Sequence, residues 1–142
     1  MRLLKWLCCL SLALGLLLGA SVAVSAWSII HRAGTAPVVS ASGKYKIESV
    51  SAAGIFTLFE KGYVRLTDIA HPGHVYRSPI VFDGSIDFSH LDETDDGLIF
   101  MGPFFFDTRK KRFVTDDPAV KQVWMSFFTS NVPCDLWSQA RP

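Results

Sequence analysis

The residues with the best claim to chemistry lie between positions 71 and 103. His71 and His74 stand in the stretch His-Pro-Gly-His, the i, i+3 spacing of a paired metal ligand, with His90 as a conceivable third donor. Imidazole suits zinc, but a zinc site needs four donors, or three and an open position. The Pro-Gly pair between the histidines makes a turn, because proline presets one central dihedral and glycine accepts the positive one. Across such a turn the two rings need not converge. We read them as exposed turn residues and assign no metal. Asp92, Thr94, Asp96 and Gly97 imitate the start of a calcium-binding loop, yet its twelfth position would be Pro103, where a bidentate Glu belongs. Ser, His and Asp are all present without a nucleophile elbow or zincin spacing, and there is no glycine-rich phosphate loop. No catalytic or cofactor-binding residue is assigned, and the expectation is a protein that is not an enzyme.

What remains of the calcium-like stretch is charge. Asp92, Glu93, Asp95 and Asp96, in LDETDDG, form the densest charged cluster of the chain. Its bland reading is a solvated loop. Its functional reading is a surface that draws in a basic protein partner, and these four are the candidate partner-binding residues.

The elements that must position this loop are mostly strands. Lys44–Val50 (KYKIESV) begins by alternating polar with apolar residues, and Gly62–Ile69 (GYVRLTDI) sets Val64 and Leu66 on one face against Arg65 and Thr67 on the other. The turn at residues 71–74 joins it to Val75–Phe82, where Pro79 marks an edge or bulged strand. Gly54–Lys61 suits a helical turn and a strand equally, and Ser85–Ser89 is a short alternating piece. Leu98–Met101 and Phe104–Phe106 are apolar runs separated by a Gly102-Pro103 bend, Asp107–Arg112 is a charged hairpin tip, and Phe113-Val114 begins the return. One helix is expected near the end. Asp116 or Asp117 caps it, Pro118 opens it, and Val120, Val123, Trp124, Phe127 and Phe128 make an apolar stripe on a 3.6-residue period before Asn131 and Pro133. With Trp137, that stripe is expected to cover the inner face of a single antiparallel sheet of about five to seven strands, an α+β domain.

The address comes from the other end. Leu7–Ala26 contains no charged residue, and Arg2 and Lys5 precede it. A run of about 20 apolar residues crosses the ~30 Å hydrocarbon core as a helix. The two cations favour a cytoplasmic N-terminus and an external domain. Cys8 and Cys9 lie at the front of the run, where a lipoprotein cysteine cannot be. Val24-Ser25-Ala26 has the small residues of a signal-peptidase site, but the run exceeds the roughly 7–15 residues of a signal core. Length favours an anchor, and cleavage near Ala26 to a soluble periplasmic or secreted product is the alternative. Gly15 and Gly19 have helix-pairing spacing but read more simply as small residues in a Leu/Ala-rich run.

We divide the chain into an anchor or signal segment (1–26), a polar, small-residue tether (27–43) and a sheet-rich domain (44–142). Without Arg2 and Lys5 the charges are 12 basic against 13 acidic, which gives no electrostatic case for nucleic acid. Beyond the apolar segment, Cys134 is the one cysteine. It reads as a small core hydrophobe, with an intermolecular bridge as the sharper option.

The stretch from Gly43 to Val81, with SGKYKIESV, GYVRLTDI and SPIVFD, resembles small enterobacterial membrane-anchored proteins classed as a domain of unknown function. The resemblance implies a bacterial envelope protein and transfers no site residues. Two functions follow as expectations. The first is a non-enzymatic binding protein on the periplasmic face of the inner membrane, in its most concrete form an immunity-type protein that neutralises a toxin. The alternative is an envelope accessory or small-ligand-binding subunit of a larger membrane complex. The anchor is directly testable. The chain should stay in the membrane fraction after an alkaline wash, and protease added to spheroplasts should digest its domain; a soluble product beginning near Trp27 would mean that the segment is a cleaved signal.

Overall fold

Apolar residues without a break, led by strong helix formers, leave the backbone one economical way to satisfy its polar groups, and α1 runs as a single helix over Arg2–Ile30. At 1.5 Å per residue its 29 residues are about 43 Å long. The computed structural model describes residues 2–57, 61–83, 88, 91–102, 104–115 and 124–136. Most of α1 touches nothing else in the chain, but Ala26 and Ile29 in its last turns are buried against the domain.

The domain is α+β, as its patterning predicts, but its strands form two stacked sheets and not one. The first sheet holds β1 (Thr35–Val39), β2 (Tyr45–Ser51), β3 (Lys61–Asp68), β4 (Val75–Arg77) and β5 (Phe82–Asp83). Their order is β1-β2-β3, with β4 and β5 both antiparallel to β3. The second holds β6 (Asp92–Glu93), β7 (Leu98–Met101), β8 (Phe104–Asp107), β9 (Arg112–Thr115) and β10 (Cys134–Leu136), in the order β10-β9-β8-β7-β6. All pairs are antiparallel except β9–β10. One edge of the first sheet is broken where expected. At Pro79 the ladder gives way to Ser78, whose amide donates to Val64 O and whose hydroxyl accepts from Val64 N. The segment expected to be a flexible tether carries β1, which is hydrogen-bonded to β2.

Two clusters share out the core. Tyr45, Ile47, Val64 and Leu66 on one face of the first sheet meet Ile99, Met101, Phe106 and Phe113 of the second, and Cys134 packs at the margin. On the other face of the first sheet, Val50 and Tyr63 pack with Ile80, Met125 and the Ala26 and Ile29 of α1. Strand β2 is therefore covered on both sides, and a one-residue slip would exchange its two sets of side chains.

The C-terminal helix differs from expectation. Its described part is one turn, α2 (Ser126–Thr129); residues 116–123, with the expected cap and Val120 and Val123, and Trp137 lie outside the described residues. The stripe does not face the sheet: Trp124 is 51 % exposed, Phe127 84 % and Phe128 45 %, while Met125 and Thr129 are buried. Polar groups do the docking. Ile80 N donates to Ser126 Oγ, Arg77 Nε to Thr129 O and Arg77 N to Asn131 Oδ1, while Asn131 Nδ2 donates to Val75 O. These bonds cover the backbone edge of β4, which an apolar stripe could not satisfy.

The join between α1 and the domain is built on charge. Glu48 and Arg65 are cross-strand partners on β2 and β3, and Arg65 Nε and Nη2 donate to Glu48 Oε2 at 3.1 and 3.0 Å. Arg65 Nη1 donates to Arg32 O, Arg32 Nη1 donates to the Ser51 and Ala53 carbonyls, and the Tyr63 hydroxyl donates to Ile29 O. In the last turn of α1, Ile29 O thereby accepts from the Tyr63 hydroxyl as well as from Arg32 N. Gly34 crosses so close that an added Cβ would lie 2.7 Å from Glu48 Cβ. Burial pushes the Glu48 carboxyl up, but hydrogen bonds and charge from Lys46 and Arg65 outweigh it and hold the group below its ordinary 4.5. A depressed carboxylate stabilises the fold fully above its unfolded value and loses that contribution as pH falls through its folded one. The stability difference between the native chain and Glu48→Gln should therefore be widest above pH 4.5 and shrink on acidification, read by urea unfolding in micelles. A difference that does not change with pH would mean the pair is not ionised in the fold.

Candidate functional site

Tyr45 pairs with Asp68 at one end of the β2–β3 ladder, and Ser51 with Gly62 at the other, beside α1. Six residues of strand separate the two ends, about 20 Å. The far end is where the chemistry-bearing residues gather. A cleft of about 500 Å³ opens there, walled by Ser42, Lys44 and Tyr45 from the β1–β2 turn, by Glu93 and Asp95, and by Lys111.

Each wall has a local cause. Gly43 N donates to Ser40 O in a tight turn, with Gly43 at φ +72°. Thr94 and Gly97 close the β6–β7 turn, where Gly97 has φ +81° and a Cβ would lie 2.5 Å from Thr108 Oγ1. Thr108 Oγ1 donates to Gly97 O, which ties that turn to the β8–β9 turn. Asp107 holds the latter by accepting from the Arg109 and Lys110 amides. Lys111, at φ +50°, brings its ammonium to the Tyr45 hydroxyl and near the Tyr45 and Tyr76 rings, 5.1 and 5.4 Å from their centroids. Burial pulls the Lys111 amine down, but the hydrogen bond and charge of Tyr45, with Tyr76 and Asp68, more than offset this and raise it above its ordinary range. It is a fixed cation and an unsuitable nucleophile.

The four acidic candidates are divided by the fold. Asp92 is exposed and Glu93 half-buried on β6, their side chains on opposite faces as strand alternation requires. Glu93 Oε2 accepts from Ser42 N at 2.7 Å, so it joins the two sheets across the cleft. Asp95 and Asp96 are exposed in the turn; Asp95 lines the cleft, and Asp96 lies 3.8 Å from Arg109 on the surface. Lysines stand across from these acids, so the surface carries both signs of charge. Sequence reasoning missed Lys44, Tyr45 and Lys111, since nothing local marks residues 66 apart as neighbours.

His71 and His74 do converge, with rings stacked at 5.4 Å. The turn forms, His74 N donating to His71 O, but Gly73 does not take the positive φ expected of it. Asp68, which sequence spacing did not suggest, joins them: its donor atoms and theirs lie within 4.8 Å of one another. Its Oδ1 accepts from the Ala70 and His71 amides, and those bonds outweigh slight desolvation to hold the carboxyl below its ordinary range. Two imidazoles and one carboxylate could hold a zinc ion with water completing the shell. Both histidines are exposed and Asp68 already serves the turn, so the arrangement has a complete structural reason without an ion. His90 and Pro103 lie outside the described residues.

The chain matches no protein-family model, no curated protein and no solved structure.

The cleft wall can be probed at one atom. Gly97→Ala should destabilise the domain by about 1–3 kcal/mol, through both its positive φ and the Thr108 contact, whereas Gly73→Ala, with open space around it, should stay within ~0.5 kcal/mol. Thermal unfolding of the two variants checks this; equal effects would mean the two turns are not held together.

Proposed function

We propose that this chain is a single-pass inner-membrane protein whose domain stands on the periplasmic face and binds a protein partner through its membrane-distal cleft, without catalysis. The observation that carries the reading is the position of that cleft: it lies at the pole opposite α1, facing away from any bilayer the helix crosses. Arg2 and Lys5 before the apolar run support the orientation, and the enterobacterial resemblance at residues 43–81 supports the compartment. Burial of Ala26 and Ile29 in the domain supports a retained helix, since cleavage after Ala26 would remove part of a core cluster. The carboxylates and ammonium groups of the cleft suit a partner surface that also bears both charges, where rim charges govern encounter more than residence. Its most specific form is an immunity-type protein that neutralises a toxin in the periplasm.

A small-ligand-binding role is the second reading, favoured by a cleft volume within the roughly 300–1,000 Å³ of small-molecule sites. A photo-crosslinking residue at Asp95, in the native cell, separates the two. The first reading expects one protein adduct, formed at Asp95 and absent with the residue at Gly54, which lines a groove against α1. With that protein purified, replacing Asp92, Asp95 and Asp96 by Asn should slow association by about threefold or more at low salt and flatten its salt dependence. No adduct at Asp95, or unchanged association, would sink the protein-partner reading.

A further inference from the structure

The residues that sequence periodicity marks as core and the fold leaves outside are gathered in one place. Phe56 meets Trp124 edge-on at 6.0 Å, Trp124 meets Phe128 at 6.1 Å, and Phe128 meets Phe127 at 5.3 Å. Ile55, one residue from Phe56, is 84 % exposed, as is Phe127. None of these five side chains carries a charge. Among the described residues, Arg32, which lines a groove with Ile55, is turned onto the Ser51 and Ala53 carbonyls.

Their depth follows from α1. Met125, between Trp124 and α2, packs in the same cluster as Ala26 and Ile29. The loop of Ala53, Gly54 and Ile55 forms one wall of a groove of about 230 Å³ whose other wall is Val24, Ser25 and Ser28 of the helix. If Leu7–Ala26 fills the ~30 Å hydrocarbon core, Ala26 marks its outer boundary and Val24 lies about 3 Å deeper. Ile55 therefore stands level with the glycerol ends of the acyl chains, and the aromatic cluster beside it at the boundary between those chains and the headgroups. Exposed Trp27, stacked on His31 at 3.8 Å, is at the same level on the helix itself. Tryptophan is favoured in that layer, where its amphipathic ring meets both lipid and water, and phenylalanine enters it as part of an apolar face. A contiguous apolar patch of this kind on a soluble face would be a liability; on the face from which a membrane helix emerges it has a partner.

We propose that Ile55 and the Trp124–Phe127–Phe128 cluster insert into the outer interface of the bilayer that α1 spans, so that the domain is seated on the membrane by a second contact beside its anchor. This rests on the reading of α1 as a retained transmembrane helix. The seat fixes the domain's tilt and directs the charged cleft away from the lipid.

Tryptophan quenching tests it without a label. The full chain is reconstituted into phosphatidylcholine vesicles containing a quarter phosphatidylglycerol, with lipids brominated near the glycerol end of the acyl chain. The difference between the native chain and Trp124→Phe isolates the emission of Trp124. That emission should fall about twofold or more with the brominated lipid and respond little to aqueous iodide. Quenching of Trp124 by iodide alone, with part of the remaining emission of Trp6, Trp27 and Trp137 still quenched by bromine, would overturn the seat while leaving the anchor intact. Insensitivity of Trp124 to both quenchers would place a second copy or another protein on the patch and also overturn it. If no emission responds to bromine, the anchor reading itself fails and the inference falls with it. Ile55→Ser and Phe127→Ser, which alter two other contacts of the same seat, should each raise the iodide sensitivity of Trp124; no change in either would count against the proposal.

Discussion

A charged pair in a nearly dry place is costly unless each of its hydrogen-bonding groups finds a partner. Glu48 and Arg65 meet that condition, and they do so with groups from the chain as it leaves the helix. The guanidinium spans the carboxylate on one side and the Arg32 carbonyl on the other, while Gly34 passes over both. Removing Glu48 would leave the guanidinium without its carboxylate, and removing Arg65 would leave Glu48 with Lys46 alone. The helix end, the first residues after it and the central strands of the first sheet are therefore one assembly. With Tyr63 donating to the last turn of α1, the domain is braced against that helix, where a polar linker would have left it to swing.

That brace gives the molecule a direction. The two strands that carry the ion pair at the middle of their ladder carry Ser51 and Gly62 at the end beside α1 and Tyr45 and Asp68 at the other. The far end collects three turns with special backbone geometry, at Gly43, Gly97 and Lys111, and their side chains make the charged cleft. The near end collects, among the described residues, the apolar cluster of Ile55, Phe56, Trp124, Phe127 and Phe128. A strand buried on both faces is suited to hold the two ends in register, because its side chains fix it against sliding.

The second sheet serves the first more than it serves itself. The row Ile99, Phe106, Phe113 and Cys134 lies across four strands and closes over Ile47 and Leu66. Its last strand, β10, runs parallel to β9, which requires the chain to cross over between them. The polar groups of residues 126–131 seal the edge of β4. Thus the C-terminal segment closes both sheets at their margins while its aromatic side chains remain on the outside.

Much of the local structure could be read from the residues themselves. The apolar length of α1, the alternation of β2 and β3, the turn at Pro72-Gly73, the break at Pro79, the bend at Gly102 and the charged tip after Asp107 are all short-range effects of side-chain shape and backbone freedom. The position of the acidic loop was legible for the same reason. What tertiary structure decided concerns partners distant in sequence. Alternation says that a strand has an inside and an outside, but not that two sheets will stack, nor that the polar stretch after α1 will pair as β1. A 3.6-residue stripe at Trp124, Phe127 and Phe128 says that one side avoids water, but not whether that side meets the sheet or stays outside it, where the fold leaves it. Lys111 reaches Tyr45, and Asp68 reaches its histidines, because turns from separate strands end at one pole, and that meeting depends on the register of the whole ladder and on no residue taken alone.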